Sequence, residues 1–182
     1  MSEPVFTIGQ SNLALNRFLG LLAQYRIEAL ADSRRFPSSK AFPHFNQKTL
    51  AAALKEAGIE YHWLEALGGR RHKKEAGSTS PNEGLQNESF RNYADYMLTE
   101  EFRQAVEKLL EIAGRKRTAI MCAESVYWRC HRRLVSDFLL ANDATVQHIF
   151  PSGELRPLQL TPGAKIEAGQ VTYPAEQKSL FP

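Results

Sequence analysis

The sequence predicts a three-layer α/β sandwich with a mainly parallel sheet and a short extended or β C-terminal arm. Two observations carry that reading. Short apolar runs of strand length alternate with amphipathic runs of ten or more residues, and strands joined by helical crossovers form parallel sheets covered on both faces. The chain has 182 residues, 43% hydrophobic and 24% charged, which is enough for one well-buried core and too few for two ordinary domains.

The elements follow in order. Val5-Phe6-Thr7-Ile8 is a first buried strand closed by Gly9, and Asn12 is placed to cap a helix running to about Tyr25 through Leu15, Phe18, Leu19 and Leu22. Ile27 to Ala31 is a second strand that delivers Asp32, Ser33 and Arg34 into a loop, which Pro37 keeps from becoming helix. A helix from Gln47 to Ala57 ends at Gly58, a left-handed C-cap, and a third strand from Ile59 to Leu64 runs into Gly68-Gly69-Arg70-Arg71. The polar stretch from His72 to Asn87, rich in Gly, Ser, Pro and Asn, reads as a long mobile loop. Helices near Glu88 to Met97 and Glu100 to Ala113 come next, the second capped by Thr99. A strand at Arg117 to Cys122, a helix from Trp128 to Asn142 and a strand at Thr145 to Ile149 complete a body spanning residues 1–150. Beyond Pro151, an arm over residues 151–182 shows short strand-like runs at Leu158 to Thr161, Lys165 to Ile166 and Val171 to Tyr173.

Composition narrows the function classes. No stretch approaches the roughly 18 to 20 apolar residues of a membrane span, and Met1-Ser2-Glu3-Pro4 lacks the features of a secretory leader. A cytoplasmic protein is the expectation. Two cysteines eight positions apart, with nothing suggesting export, read as reduced thiols. The formal charge of +3 is a mild excess. Its clustering at Arg34-Arg35, Arg70 to Lys74, Arg115 to Arg117 and Arg129 to Arg133 is more telling, because most of these runs fall at loop edges suited to binding anions.

In a parallel sheet, ligands bind outside the carboxyl ends of the strands. The four loops predicted there carry Gln10-Ser11, Asp32-Ser33-Arg34, Gly68-Gly69-Arg70 and Cys122-Ala123-Glu124. Cys122, at a strand end before a run of arginines, is a candidate thiolate nucleophile, or else a small apolar residue completing a buried strand. Six residues separate it from Arg129, one more than a phosphatase-type loop has. Glu124 and Asp32 are the candidate acid or base, or structural salt-bridge partners of nearby arginines. Ser11, Arg34, Arg70, Arg129, His131 and Arg132 are the candidate ligand-binding groups, since the guanidinium fork matches phosphate oxygens. Tyr127 and Trp128 are candidates for stacking on a base. Cys122, Cys130 and His131 form an alternative zinc or iron set that lacks a fourth local ligand, with His148 the nearest spare imidazole. No cofactor is otherwise predicted.

The segments Thr7 to Ser11, Asp32 to Pro37, Phe45-Asn46, Leu67 to Arg70 and Cys122 to Arg132 resemble the successive signatures of the domain-of-unknown-function 488 family over about residues 5–150. The resemblance implies a Rossmann-like α/β fold and a connection with nucleic acid, without an established reaction. Gln10 departs from the histidine common in that family, and Val126-Tyr127-Trp128 replaces a more polar, proline-containing stretch. At the C-terminus, Gln177-Lys178-Ser179-Leu180-Phe181 resembles the short peptide by which bacterial polymerases and repair proteins engage the sliding clamp. In that reading Gln177, Leu180 and Phe181 are the partner-binding residues. The expected function is therefore a DNA- or nucleotide-associated protein, an enzyme linked to repair or replication and tethered to the sliding clamp. The alternatives are a non-catalytic nucleotide-recognition module and a thiol- or metal-dependent enzyme on a small molecule.

Overall fold

The first five predicted strands lie parallel in one sheet in the computed structural model of the chain, which describes residues 2–72 and 79–176. They are β1 (Val5–Gly9), β2 (Ala29–Asp32), β3 (Glu60–Trp63), β4 (Thr118–Cys122) and β5 (Val146–Ile149). An antiparallel strand, β6 (Leu155–Pro157), extends the sheet to six in the order β3-β2-β4-β1-β5-β6. A hairpin of β7 (Lys165–Glu167) and β8 (Gln170–Thr172) stands apart from it.

Alternating side chains divide the core in two. Phe6, Ile8, Leu30, Ala119 and Met121 face α1 (Leu15–Gln24) and α2 (Gln47–Glu56), which bury Phe18, Leu21, Leu22, Leu50 and Leu54. Val5, Ala31, Ile120 and Val146 face the other way, toward α3 (Glu88–Tyr96), α4 (Glu100–Ala113) and α5 (Arg132–Ala141). The apolar positions of α4, Phe102, Ala105, Val106, Leu109 and Ile112, recur at helical spacing and are all buried. Thr99 caps this helix, its hydroxyl accepting from the Phe102 N–H at 3.3 Å, as Asn87 caps α3.

This division fixes where a ligand can sit. The helices after β1 and β2 lie on one face, and those after β3 and β4 lie on the other. Because β4 stands between β2 and β1, its loop leaves for the opposite face from both neighbours. That reversal opens a crevice at the carboxyl ends of these strands.

Some local expectations give way to tertiary contacts. Asn12 is not the cap of α1: the helix starts at Leu15 after Ala14, with no capping side chain. Before it starts, the Gln10 N–H donates to the Cys122 carbonyl and the Ser11 N–H to Ala123, at 2.9 and 3.0 Å, so sheet pairing prolongs β1 and delays the helix. The helix expected from Trp128 is a single 3-10 turn at Tyr127–Arg129, a break at the extended Cys130, and then α5. The strand expected at Leu158 to Thr161 lies earlier, at Leu155–Pro157, because the Pro151-to-Gly153 turn folds it back on β5 with Leu155 opposite Ile149.

Residues 79–87 of the predicted mobile loop are anchored. Asn82 is fully buried, donating to Asp95 Oδ1 at 2.7 Å and accepting from the Tyr173 N–H at 2.9 Å. Beyond Pro151 the chain packs against the body. Val171 and Tyr173 are buried in the α3–α5 core, and the Tyr173 hydroxyl donates to Asp137 at 2.8 Å. Among the described residues no helix is long and apolar enough to cross a membrane.

Two glycines set opposite expectations for substitution. A Cβ on Gly9 would stand 1.7 Å from the Glu124 carbonyl oxygen, whereas one on Gly20, in α1, would meet nothing within 4 Å. In urea unfolding, Gly9→Ala should lose about 1–3 kcal/mol or more through overpacking, while Gly20→Ala should gain about 0.5–1 kcal/mol from helix propensity.

Candidate functional site

The crevice holds a cavity of about 520 Å³, within the range of small-molecule sites. Its floor is Cys122 and Cys130, its walls include Gln10, Arg34, Tyr93 and His131, and its rim carries Arg35, Phe36, Arg70, Phe90, Glu124 and Arg129. Cations dominate the rim. The guanidiniums of Arg70 and Arg129 are exposed and bond to no described residue, and the Arg35 Nη1 donates to the Arg70 carbonyl at 2.6 Å.

One wall is a closed ionic network. Asp32, at the end of β2, is fully buried and receives Arg34 in a two-point contact, Nε to Oδ1 at 2.9 Å and Nη2 to Oδ2 at 2.7 Å. The Arg34 backbone N–H and the Tyr61 hydroxyl also donate to it, at 3.1 and 2.6 Å. Burial, with the Asp32 charge beside it, raises the Tyr61 pKa, which keeps that phenol a donor. Arg34 Nη1 donates to Gln10 Oε1 at 2.8 Å. Asp32 thus fixes Arg34 toward the cavity, and its own oxygens are fully engaged.

The floor is built differently. Arg132, the first residue of α5, is 1% exposed, and among the described residues no carboxylate pairs with it. Nη1 donates to Thr7 Oγ1 at 3.1 Å, Nη2 to the Glu124 carbonyl at 2.9 Å, and Nε finds no partner among the described residues. Burying a cation without a counter-charge is costly. The groups that offset it are the two sulfurs: burial opposes the charged form of Arg132, yet Cys122 and Cys130 hold its pKa above the ordinary arginine value.

The thiols divide their roles. Burial pushes Cys122 well above the usual thiol value, and its hydrogen bond to Cys130 adds to the effect. Burial also opposes ionisation of Cys130, but the Cys122 hydrogen bond, the Arg132 charge and the Arg132 N–H, 3.4 Å from Sγ, outweigh it and bring the pKa down to about 7. Cys130 is therefore substantially thiolate at neutral pH, the state in which a thiol is nucleophilic.

His131 completes this arrangement. Its Nδ1 lies 3.4 Å from Cys130 Sγ and its Nε2 lies 3.1 Å from Ser33 Oγ. Ser33 spends its proton on the Met121 carbonyl at 2.8 Å, so it accepts from Nε2–H, and Nδ1 of the neutral ring is left as an acceptor toward Cys130. Burial lowers the His131 pKa, which favours that neutral ring. Gly69 leaves room for it, since a Cβ there would stand 3.2 Å from Nδ1.

Of the residues expected from sequence, the cavity gathers Arg34, Arg70, Arg129, Cys122, Glu124 and His131. Ser11 and Arg132 do not line it. Ser11 sits at φ 44°, paired through its N–H to Ala123, and Arg132 lies behind the sulfurs. Asp32 positions Arg34 from beneath. Glu124 keeps an exposed carboxylate with no bond to any described residue. Tyr127, a candidate for base stacking, already has a face covered by the His148 ring at 3.7 Å, while Trp128 is 43% exposed. His148 is buried beside Thr7, its Nδ1 2.6 Å from Oγ1. Cys130 and His131 turn toward each other, and among the described residues no group of three or more His, Cys, Asp or Glu side chains is placed to hold a metal ion. Gln177, Leu180 and Phe181 lie outside the described residues.

Sequence reasoning put the candidate nucleophile at Cys122 and singled out neither the Cys130 thiol, whose pKa is brought down to about 7, nor Phe36, a rim aromatic that is 64% accessible. The signal for Cys130 was its place one residue before His131 and two before Arg132. Phe36 stood in the Asp32-to-Pro37 motif.

A family model described as "Domain of unknown function DUF488" matches residues 14–139. The chain belongs to the DUF488 family. The stretch matched to DUF488 runs from just before α1 into α5 and includes Asp32, Arg34, Cys122, Cys130 and Arg132, while Gly9, at the end of β1, and Gln10 after it lie outside it. No curated protein and no solved structure matches the chain.

The Asp32–Arg34 pair of this DUF488 domain gives a stability prediction. Asp32→Ala strands a buried guanidinium and a Tyr61 hydroxyl, and should cost about 3–5 kcal/mol, as breaking buried pairs does. Urea unfolding followed by circular dichroism would check it.

Proposed function

We propose that the protein is a cysteine-dependent group-transfer enzyme acting on a nucleotide-type ligand, free or within DNA, with Cys130 as its nucleophile. The observation that supports this most directly is the Cys130 thiolate, set against an Arg132 cation that no carboxylate among the described residues meets and opening into a cavity rimmed by arginines. A site that only recognises its ligand has no need of an ionised thiol in its floor.

The other groups take roles from their positions. Arg70 and Arg129, without partners among the described residues, bind phosphate oxygens at the rim. Arg34, held by Asp32 and Gln10, presents its remaining N–H groups deeper in. Phe36 offers an exposed ring for a base, the part first assigned to Tyr127 and Trp128. His131, oriented by its Nε2–H bond to Ser33, presents Nδ1 as an acceptor beside Cys130. Glu124 is the carboxyl within the rim that can protonate a leaving group or activate water. The clamp-binding-like peptide would bring such an enzyme to DNA, and loss of sliding-clamp binding on removal of Leu180 and Phe181 would support that part independently.

Reactivity gives the test. Iodoacetamide should modify Cys130 first, with a rate that rises through an apparent pKa of about 7, because protonation below that value removes the thiolate. Deoxynucleoside monophosphates should slow the modification, and the Arg70→Ala/Arg129→Ala double variant should lose that protection. A midpoint near that of an ordinary thiol, or modification indifferent to nucleotide in the intact chain, would overturn the assignment.

A further inference from the structure

Besides its part in the proposed reaction, the floor of the cavity has a property of its own: both cysteines of the chain meet there. Cys122 ends β4 and Cys130 precedes α5, each is free, and both line the same cavity. The Cys122 thiol donates to the Glu124 carbonyl at 3.7 Å and also interacts with Cys130, whose sulfur receives the Arg132 N–H at 3.4 Å. A nucleophilic thiolate within reach of a second thiol, and open to small solutes, is the arrangement in which a sulfenic acid is resolved as a disulfide.

We infer that Cys130 is a site of oxidation by peroxides and that Cys122 is its resolving thiol, so that the pair closes reversibly into a Cys122–Cys130 disulfide. In the first step the Cys130 thiolate attacks one peroxide oxygen. The O–O bond breaks, Cys130 becomes a sulfenic acid, and with hydrogen peroxide the other oxygen leaves as hydroxide, which takes up the proton Cys130 released on ionising and becomes water. In the second step the Cys122 sulfur attacks the Cys130 sulfur. The S–S bond forms, the S–O bond breaks, and the hydroxyl departs with the Cys122 proton as a second water. Two thiols are oxidised and one peroxide is reduced to two waters.

The electrostatics of the floor favour that order. While Cys130 is a thiolate, its charge and its hydrogen bond both raise the Cys122 pKa, in addition to burial. Oxidation of Cys130 to a neutral sulfenic acid removes both of those effects. Arg132 is then left with Cys122 as its remaining ionisable sulfur, and its charge lowers the Cys122 pKa. The buried cation thus passes its stabilisation from the attacking thiol to the resolving one. A closed disulfide removes the Cys130 nucleophile, so the site is switched off until a dithiol reduces it.

The inference shares the activated Cys130 with the proposed enzyme, and one set of samples separates the two. Reduced, full-length protein is treated with a small excess of hydrogen peroxide, and intact mass and non-reducing peptide mapping are recorded. The expected result is a loss of about 2 Da, the two hydrogens of a dithiol, with the peptides containing Cys122 and Cys130 joined. Both free thiols of the chain should become unreactive to a thiol reagent and return with dithiothreitol. In Cys122→Ser the sulfenic acid should persist and be trapped by dimedone at Cys130, and in Cys130→Ser peroxide should leave the mass unchanged. Conversion of the wild-type Cys130 to sulfinic acid without a disulfide, or dimedone labelling as heavy as in Cys122→Ser, would overturn the inference while leaving the nucleophile in place. A thiol indifferent to peroxide would overturn it as well. Nucleotide protection from iodoacetamide tests the enzyme reading separately, and its absence leaves the disulfide result standing.

Discussion

Arg132 places a full positive charge inside the protein, donates to Thr7 on β1 and to the Glu124 carbonyl, and faces no carboxylate among the described residues. Desolvating a guanidinium in this way costs several kcal/mol unless something nearby carries negative charge. Much of the surrounding architecture can be read as the answer to that cost. The loop after β4 turns its Glu124 carbonyl inward to meet Nη2, which brings it against Gly9 so closely that no side chain fits there. The 3-10 turn breaks at Cys130, so that its sulfur meets the Arg132 N–H as α5 begins. A thiol that would be inert in an apolar core becomes an anion near neutral pH as the counter-charge of this cation.

Arg34 offers the contrast. Its charge is met in full by Asp32, and the pair is further tied to Tyr61 and Gln10. It can present a rigid donor to a ligand but has little field to spare for a neighbour. Arg70 and Arg129, at the rim, are free to meet an anion from solvent. Three environments thus set one side chain in three ways: against sulfur, locked in a wall, and exposed at the rim.

The alternation of strands and helices was legible because one-face burial imposes a period on each segment, and the two-sided core follows that period closely. Thr99 as a cap and Gly58, at φ 74°, as a helix terminator were legible for local reasons. Asn12 misled because its backbone neighbours pair with Cys122 and Ala123, a contact across more than a hundred residues. The helix expected from Trp128 misled because periodicity cannot register the pull of a buried cation on Cys130. The same limit drew attention to Cys122, whose strand-end position is conspicuous in sequence, rather than to Cys130, whose lowered pKa depends on the Arg132 charge beside it.

By itself the sequence determined the α/β class, the parallel order of crossovers and the four loops that meet at one sheet edge, since each rests on local periodicity and chain order. It also determined which side chains the site has to work with. The tertiary structure alone decided which of them is ionised, which is locked and which is free. Those properties depend on burial and on charges brought together from β1, β2, β4 and α5, separations that no local pattern encodes.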